Sequence, residues 1–214
     1  SAASDVYKRQ EDILNLVKNK TPKYGNDDDY ADDIMVSVFN EYKDYITGRP
    51  TTRGGVYHVD MLPTTCHVYF GDVMIASPNG RLAHIPLSEG ISPEKGADIN
   101  GPTAVVKSCS KMNHCETGGT LLNQKFTPAA IAGEKGIDNL AALIRSYFAM
   151  NGHHMQFNVI DRQTLIEAQK NPEEYKELIV RVAGYSDYFR NLDKPLQNEI
   201  IERTEQSFGG CGCC

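Results

Sequence analysis

The sequence predicts an α/β fold with a parallel sheet, and two observations carry that prediction. Helix-like and strand-like segments alternate along the chain, and several of the strand-like segments are apolar on both faces. Such strands are typical of parallel sheets whose two faces are covered by helices. With 214 residues, of which 40% are hydrophobic and 23% are charged, the chain suits one globular domain or a large piece of a bigger one.

The first third of the chain predicts two helices followed by two strands. A short amphipathic run covers residues 11–20, and the acidic residues 27–29 can cap a second helix and offset its dipole. That helix should end at Gly48 and Pro50. Strands are predicted over residues 54–60 and 66–70. The apolar face of the second helix is formed by Ile34, Val38, Tyr42 and Tyr45.

The rest of the chain predicts alternating helices and strands. The helices cover residues 103–112, 137–150 and 163–169, and the strands cover residues 120–126, 155–159 and 178–182. Asp161 is the predicted cap of the third helix, and Gly152 is the predicted residue after the end of the second. The buried side of helix 137–150 is predicted to contain Leu140, Leu143, Ile144, Tyr147 and Phe148.

Charge and hydropathy exclude two classes of partner. The chain has 28 acidic and 22 basic residues, a net charge of −6, and no basic block longer than two residues, so nucleic acid is not an expected partner. No apolar run approaches the length of a membrane span, and no signal peptide is visible, so a membrane is not expected either. We therefore expect a cytoplasmic protein.

The cysteines do not form a recognisable disulfide framework or metal motif. They fall into two groups of three, Cys66, Cys109, Cys115 and Cys211, Cys213, Cys214. The first group is widely spaced, and adding His114 gives only three zinc ligands at irregular spacing. The second group lies in the Cys/Gly tail 209–214, which we predict to be disordered. No metal site is predicted.

The first ten residues are treated separately from the fold. Residues 5–10 read as the translation of a common transposase adapter. We therefore predict that residues 1–10 are an adapter-derived artefact, and that the chain is the C-terminal fragment of a longer protein.

The most informative motif is the run Arg181, Val182, Ala183, Gly184 and Tyr185. Upstream lie the segments 78–81, 86–88, 101–104 and 156–161, and downstream lies 192–204. Together, in this order, they resemble the radical-bearing loop and the surrounding segments of the glycyl radical enzymes. Taken alone, the motif also fits a glycine turn after a buried strand.

The resemblance implies that the α-carbon of Gly184 carries an organic radical, with Arg181, Val182, Ala183 and Tyr185 as loop neighbours. An unpaired electron there is shared with both flanking peptide groups, and glycine has no side chain that opposes the planar geometry. No bound cofactor is implied, because a separate activase that uses S-adenosylmethionine and an iron–sulfur cluster installs the radical. Gly184 is expected to be buried, and a helix over residues 194–207 is expected to move as a lid.

The resemblance also implies the architecture. The chain should be the C-terminal part of the family's β/α barrel, with the glycine loop threaded inside and a terminal helix. Residues 11–80 would belong to the barrel domain related to pyruvate formate-lyase, and residues 81–208 would form the glycine radical domain. We expect an incomplete barrel to expose strand edges and apolar surface.

Family members use a second radical site, a cysteine in a Cys-x-Glu motif. None of Cys66, Cys109 and Cys115 is followed by glutamate at the second position. The resemblance therefore implies that the thiyl cysteine and its glutamate lie outside this chain, and that the chain alone is inactive, because radical transfer requires the two centres in near contact.

Residues 61–65 are expected to face the substrate. By resemblance, Leu62 would provide an apolar wall, and the Thr64 hydroxyl would bind a small hydroxylated substrate. An ordinary turn around Pro63 is the alternative reading.

Residues 109–125 most resemble the branch of the family that dehydrates trans-4-hydroxy-L-proline, a carbon–oxygen lyase reaction of anaerobes. The alternatives are other members of the family, namely glycerol or propanediol dehydratases, choline lyase, aryl-acetate decarboxylases and formate acetyltransferase. Outside the enzymes, a stand-alone radical spare-part protein and a structural α/β domain are also considered. The implied partners are the activase, the substrate and the remainder of the barrel, and a homodimer is left open.

Overall fold

The computed structural model describes residues 9–208, so the predictions for residues 1–8 and for the cysteine tail 209–214 lie outside the described residues. The helices are α1 (Gln10–Asn19), α2 (Asp29–Ile46), α3 (Cys66–Val73), α4 (Pro102–Ser110), α5 (Gly133–Ala149), α6 (Arg162–Lys170) and α7 (Lys194–Glu202). The strands are β1 (Asp60–Met61), β2 (Gly119–Thr120), β3 (Leu122–Phe126), β4 (Met155–Val159), β5 (Ile179–Arg181), β6 (Ser186–Tyr188) and β7 (Glu205–Gln206). Within this range, every helix is too short or too polar to cross a lipid bilayer.

Parallel pairing joins the strands of the main sheet, which confirms the prediction. β3 lies between β4 and β7 and pairs in parallel with both, and β1 pairs in parallel with β2. β5 and β6 instead form an antiparallel hairpin in which Arg181 is opposite Ser186. The predicted strand at residues 178–182 therefore exists, but it belongs to a hairpin and not to the parallel sheet.

Two hydrophobic clusters hold these elements together. The first joins α4, α5 and β3 through Val105, Val106, Leu122, Phe126 and Tyr147. The second packs α6, α7 and the hairpin against one another through Leu165, Val180, Val182, Phe189 and Ile200. Val182, just after β5, and Phe189, just after β6, are both buried in the second cluster. The hairpin is therefore held in place at both of its ends.

Two predicted helix caps are confirmed. The carboxylate of Asp28 accepts a hydrogen bond from the Ala31 N–H at 3.3 Å, and that of Asp161 accepts one from the Thr164 N–H at 2.8 Å. Both carboxylates satisfy N–H groups that the first turn of a helix leaves unpaired.

The strand predicted at residues 66–70 is wrong, because these residues begin the helix α3. Short apolar runs fit either structure, and packing decides between them. The buried residues of α3 are His67 and Gly71, four apart and thus on one helical face. A Cβ on Gly71 would lie 2.4 Å from the Ile85 carbonyl oxygen, so this face needs a glycine for the close approach.

The strand predicted at residues 54–60 is also largely absent. Only Asp60 belongs to a strand, while the preceding residues fold back in a turn. The Thr51 N–H donates to the Gly55 carbonyl at 2.8 Å, and the Tyr57 N–H donates to the Arg49 carbonyl at 2.9 Å. These local bonds take the backbone groups that a strand would have used.

Three details of the predicted helices are corrected. The terminal helix ends at Glu202 and not at residue 207, because Arg203 turns to an extended backbone and β7 then pairs with β3. Phe148 is exposed and not buried. After α5, Asn151 takes the left-handed conformation with φ of +66°, while Gly152 packs closely on the ring of Tyr147.

The predicted apolar face of α2 exists, but the chain does not cover it. Its side chains lie largely in solvent, whereas Phe39 between them is buried. The exposed members are Ile34, Val38, Tyr42 and Tyr45. Several other large apolar side chains are exposed as well, including Tyr69, Phe70 and Val73 of α3. The expected exposure of apolar surface is therefore confirmed.

Two aromatic residues of α2 test this division between core and open surface. Tyr42→Ala should change the free energy of unfolding by less than about 0.5 kcal/mol, because Tyr42 packs little in this chain. Phe39→Ala should cost about 3–5 kcal/mol, because it empties a core position. Urea denaturation of both variants measures the difference, and equal losses would contradict the assigned core.

Candidate functional site

Gly184 lies at the tip of the β5–β6 hairpin. The Val182 N–H donates to the Tyr185 carbonyl at 2.8 Å, which closes a loop with Ala183 and Gly184 at its end. Gly184 has φ of +82°, in the left-handed region that residues with a side chain rarely adopt. The turn thus favours a glycine at the position that the motif predicted.

The expected burial of Gly184 is wrong for this chain, because Gly184 is exposed while Val182 and Ala183 are buried. Within residues 9–208, a Cβ placed on Gly184 would meet only the δ-methyl carbons of Leu62 and Leu121, each at 3.8 Å. The chain therefore covers one side of this glycine and leaves the other side open.

A closed ring of hydrogen bonds surrounds the peptide groups of Gly184. The Gly184 N–H donates to Gln156 Oε1 at 3.1 Å, and Nε of Arg181 donates to the same oxygen at 2.9 Å. Nη2 of Arg181 then donates to the Gly184 carbonyl at 3.3 Å. One amide and one guanidinium thus engage the backbone on both sides of a single α-carbon.

Four polar side chains hold the strand that leads into the loop, and we call them the hairpin clasp: Asn123, Gln156, Asn158 and Arg203. Asn158 Nδ2 donates to the Arg181 carbonyl at 2.7 Å, and Asn158 Oδ1 accepts from the Arg181 N–H at 2.8 Å. The Val182 carbonyl accepts from Arg203 Nη2 at 3.0 Å and from Asn123 Nδ2 and Gln156 Nε2, each at 3.3 Å. These bonds satisfy carbonyls that would be costly to bury unpaired.

A buried ion pair supports the clasp from behind. Arg203 donates to both carboxylate oxygens of Glu199, with distances of 2.9 Å to 3.2 Å, and His67 Nε2 lies 3.7 Å from Glu199 Oε2. Burial alone would raise the pKa of the Glu199 carboxyl, but Arg203 and His67 lower it to about 2. Glu199 therefore stays ionised and orients the guanidinium that holds the loop.

Glu89 is a second buried carboxyl in this region. Its Oε1 accepts from the Ser92 hydroxyl at 2.6 Å, and that hydroxyl accepts from the Asn123 N–H at 2.9 Å. Among the described residues, no side chain or backbone group hydrogen-bonds its Oε2. Burial raises the pKa of Glu89 to about 7, although the charge of Arg203 opposes this rise.

The two residues predicted to face the substrate are placed differently. Leu62 lies beside Gly184, since its Cδ1 atom would be 3.8 Å from a Cβ placed on that glycine. Thr64 is exposed two residues further on, with φ of +57°. That conformation is an outlier for a β-branched residue, and such strain is concentrated at functional sites.

The cysteines of the described region have separate environments. Cys109 is fully buried, accepts a hydrogen bond from the Tyr24 hydroxyl at 3.1 Å, and has a thiol pKa raised to about 12 by burial. Cys66 and Cys115 are exposed. Between residues 9 and 208, no three His, Cys, Asp or Glu side chains converge as metal ligands would.

The sequence motif identified the loop, but it did not identify the side chains that hold the loop in place. Those side chains are Asn123, Asn158, Glu199 and Arg203. One signal was available in β4, where polar Gln156 and Asn158 alternate with apolar neighbours. Alternation of this kind usually marks a face in contact with solvent. Here both amides are buried and point at the hairpin.

Comparison with known proteins matches these features to one group. A family model described as "Glycine radical" matches residues 87–190, and one described as "Pyruvate formate lyase-like" matches residues 2–71. Trans-4-hydroxy-L-proline dehydratase of Clostridioides difficile is 70% identical over 198 residues, which are 92% of this chain and 25% of that protein. The chain thus spans a quarter of that relative's length.

Solved structures agree. The hydroxyproline dehydratase from Clostridioides difficile, with trans-4-hydroxy-L-proline bound, has a TM-score of 0.91 at 67% identity and covers 96% of this chain and 26% of its own. The glycerol-bound B12-independent glycerol dehydratase from Clostridium butyricum has a TM-score of 0.90 at 47% identity, with the same coverage of each chain. The two backbones are equally similar to this one, whereas the sequence identities differ.

Replacing Gly184 by alanine tests whether the glycine is needed for folding. Gly184→Ala should lower the free energy of unfolding by about 1 kcal/mol, because φ of +82° is unfavourable for alanine and the added Cβ makes only ordinary contacts. Gly48→Ala is the matched control, since Gly48 has φ of +81° and nothing within 4 Å of an added Cβ. Chemical denaturation should give similar losses, and unfolding by Gly184→Ala alone would refute this account.

The pKa of Glu89 predicts a pH dependence of stability. The folded-state pKa of about 7 exceeds the ordinary 4.5, so the folded protein binds the extra proton between these values. This contribution is complete below pH 4.5 and falls by roughly 3 kcal/mol as the pH rises through 7.

Glu89→Gln should therefore flatten the curve of unfolding free energy against pH between about pH 5 and 8. Denaturation at several pH values measures it. Glu41→Gln, at an exposed position of α2, is the control and should keep the wild-type slope. A slope unchanged in Glu89→Gln would show that another group is responsible.

Proposed function

This chain belongs to the glycyl radical enzyme family, and from that membership we propose that Gly184 carries the backbone radical of a dehydratase acting on trans-4-hydroxy-L-proline. The observation that carries the proposal is the hairpin tip. Gly184 lies inside the matched glycine radical region, in a left-handed turn whose two flanking peptide groups are both hydrogen-bonded.

The choice of substrate is supported by sequence identity. The relative named for trans-4-hydroxy-L-proline is 70% identical, and the glycerol-bound structure is 47% identical. Leu62 beside Gly184 would form an apolar wall for the pyrrolidine ring, and Thr64 would donate or accept a hydrogen bond at its polar groups. The turnover experiment below distinguishes this substrate from those of other family members.

The proposed sequence of steps conserves atoms and electrons. The Gly184 radical takes a hydrogen atom from a cysteine thiol, which restores the glycine and leaves a thiyl radical. The thiyl takes a hydrogen atom from the substrate carbon beside the hydroxylated one. The hydroxyl then leaves as water with a proton from an acid–base glutamate, and the substrate ring nitrogen releases a proton that returns the glutamate to its acid form. The product radical takes the hydrogen atom back from the thiol, and the thiyl recovers one from Gly184.

The thiol for this sequence is not Cys109, because a fully buried thiol with a raised pKa and two hydrogen-bond partners is out of reach of a substrate. Cys66 and Cys115 lack the Cys-x-Glu pattern. We therefore propose that the thiyl cysteine and the glutamate come from protein outside these 214 residues. The other proposed partners are a radical S-adenosylmethionine activase and the remainder of the barrel, in a cytoplasmic, anaerobic setting.

Electron paramagnetic resonance tests the radical. The protein that contains this chain, incubated without oxygen with its activase and S-adenosylmethionine, should give a glycine-type doublet. Gly184→Ala should abolish the doublet because the added side chain opposes the planar geometry of the radical, whereas Gly133→Ala, at another glycine with positive φ, should keep it. Air should cut the activated chain at residue 184, which mass spectrometry detects.

Turnover of the activated protein tests the substrate. The rate of water loss from trans-4-hydroxy-L-proline should exceed that from glycerol or propane-1,2-diol by at least about a hundredfold. A site whose polar groups all pair with one substrate discriminates against another that leaves some of them unpaired. Faster turnover of a diol would overturn the substrate assignment and leave the radical assignment intact. A wild-type protein without the doublet would contradict both.

A further inference from the structure

The hydrogen-bond ring around Gly184 gives a role to a residue outside the predicted motif. We propose that Gln156 is a positioning residue for the Gly184 radical, which fixes and polarises the peptide group on the N-terminal side of the radical carbon. This inference rests on the proposed function. Gln156 lies in β4, 28 residues before the glycine, and its side chain is buried.

The orientation of the Gln156 amide is determined by its surroundings. Its Nε2 donates to Asn123 Oδ1 and, at 3.3 Å, to the Val182 carbonyl. Its Oε1 therefore faces two donors, the Gly184 N–H at 3.1 Å and Nε of Arg181 at 2.9 Å. The reversed amide would put an NH₂ group against two N–H donors and an oxygen against two oxygens, so only one orientation satisfies all four partners.

The resting conformation explains why one fixed peptide plane is useful. With φ of +82°, the peptide on the N-terminal side of Gly184 is nearly perpendicular to the plane that conjugation with a radical requires. Rotation about the N–Cα bond must therefore accompany radical formation, and glycine permits it. Such a rotation does not move the N–H itself, so the bond to Gln156 persists while the C-terminal side turns.

Arg181 holds the other peptide group in the resting loop. Its guanidinium shares the Gln156 oxygen and donates to the Gly184 carbonyl at 3.3 Å. An acceptor on the N–H favours electron donation from nitrogen, and a cationic donor on the carbonyl favours electron withdrawal. The acceptor on the N–H persists through the rotation and stabilises an unpaired electron on the α-carbon, whereas the Arg181 bond belongs to the resting loop, because the Gly184 carbonyl is on the side that turns.

The experiment compares two amide residues of the same strand. Gln156→Met removes the acceptor of the Gly184 N–H at nearly constant size. Gln156→Glu, studied at a pH where its carboxyl is protonated, keeps an acceptor for that N–H and an O–H donor on the side where Nε2 now donates to Asn123 and Val182. Asn158→Leu is the matched control, because Asn158 binds the backbone of Arg181 and does not contact Gly184. Hydrogen exchange of the Gly184 N–H is measured relative to the Val182 N–H, which bonds within the loop.

In Gln156→Met, the hydrogen-exchange rate of the Gly184 N–H divided by that of the Val182 N–H should rise about tenfold, which is the effect expected from the loss of one hydrogen bond. The doublet of the activated protein should decay about tenfold faster without oxygen, with a larger splitting because more spin stays on the α-carbon. Gln156→Glu should keep the wild-type exchange ratio. In Asn158→Leu, both amides should exchange faster together, with the doublet splitting unchanged.

An unchanged ratio and an unchanged doublet in Gln156→Met would overturn the inference, as would a Gln156→Glu variant that behaves like Gln156→Met. Equal effects of Asn158→Leu and Gln156→Met on the splitting would show general loosening of the hairpin and also overturn it. Absence of the doublet from the wild-type protein would refute the proposed function, while the exchange ratio would still report whether Gln156 holds the Gly184 amide.

Discussion

The site depends on hydrogen bonds to the main chain of one hairpin. A glycine that acts through its backbone has no side chain by which a protein could hold it, so neighbouring groups must hold its peptide bonds. The hairpin clasp holds the strand that leads to this glycine with three amides from β3 and β4 and the guanidinium of Arg203, and one of those amides, Gln156, also accepts from the Gly184 N–H. Buried carbonyls at Arg181 and Val182 would otherwise cost free energy, which explains why polar side chains occupy interior positions of these strands.

This arrangement concentrates charge where burial makes charge costly. Glu199 and Arg203 form an ion pair in the interior beside the His67 ring, and Glu89 is buried nearby with a carboxyl oxygen that no described residue hydrogen-bonds. A well-packed apolar cluster of the same volume would often be as stable. The buried ions instead fix one orientation of Arg203, and that orientation is what the loop carbonyls require.

The open side of Gly184 and the uncovered face of α2 have the same character. Both are surfaces that the chain builds but does not cover, and the chain spans only a quarter of the length of its relatives. Its mixed α/β fold nevertheless agrees with solved glycyl radical enzyme structures over 94% to 96% of its length.

The sequence by itself determined the parallel pairing, the caps at Asp28 and Asp161, and the glycine at the loop tip, because periodicity, capping chemistry and turn geometry are local properties. It could not determine that residues 66–73 are helical, that β5 turns back on β6, or that Glu199 and Arg203 support the loop. Those outcomes depend on contacts between residues far apart in the chain, such as Gly71 with Ile85 and Arg203 with Val182. Burial of Gly184 was expected from the family and is absent here, because solvent exclusion depends on every surface that meets at the site and not on the loop that carries the glycine.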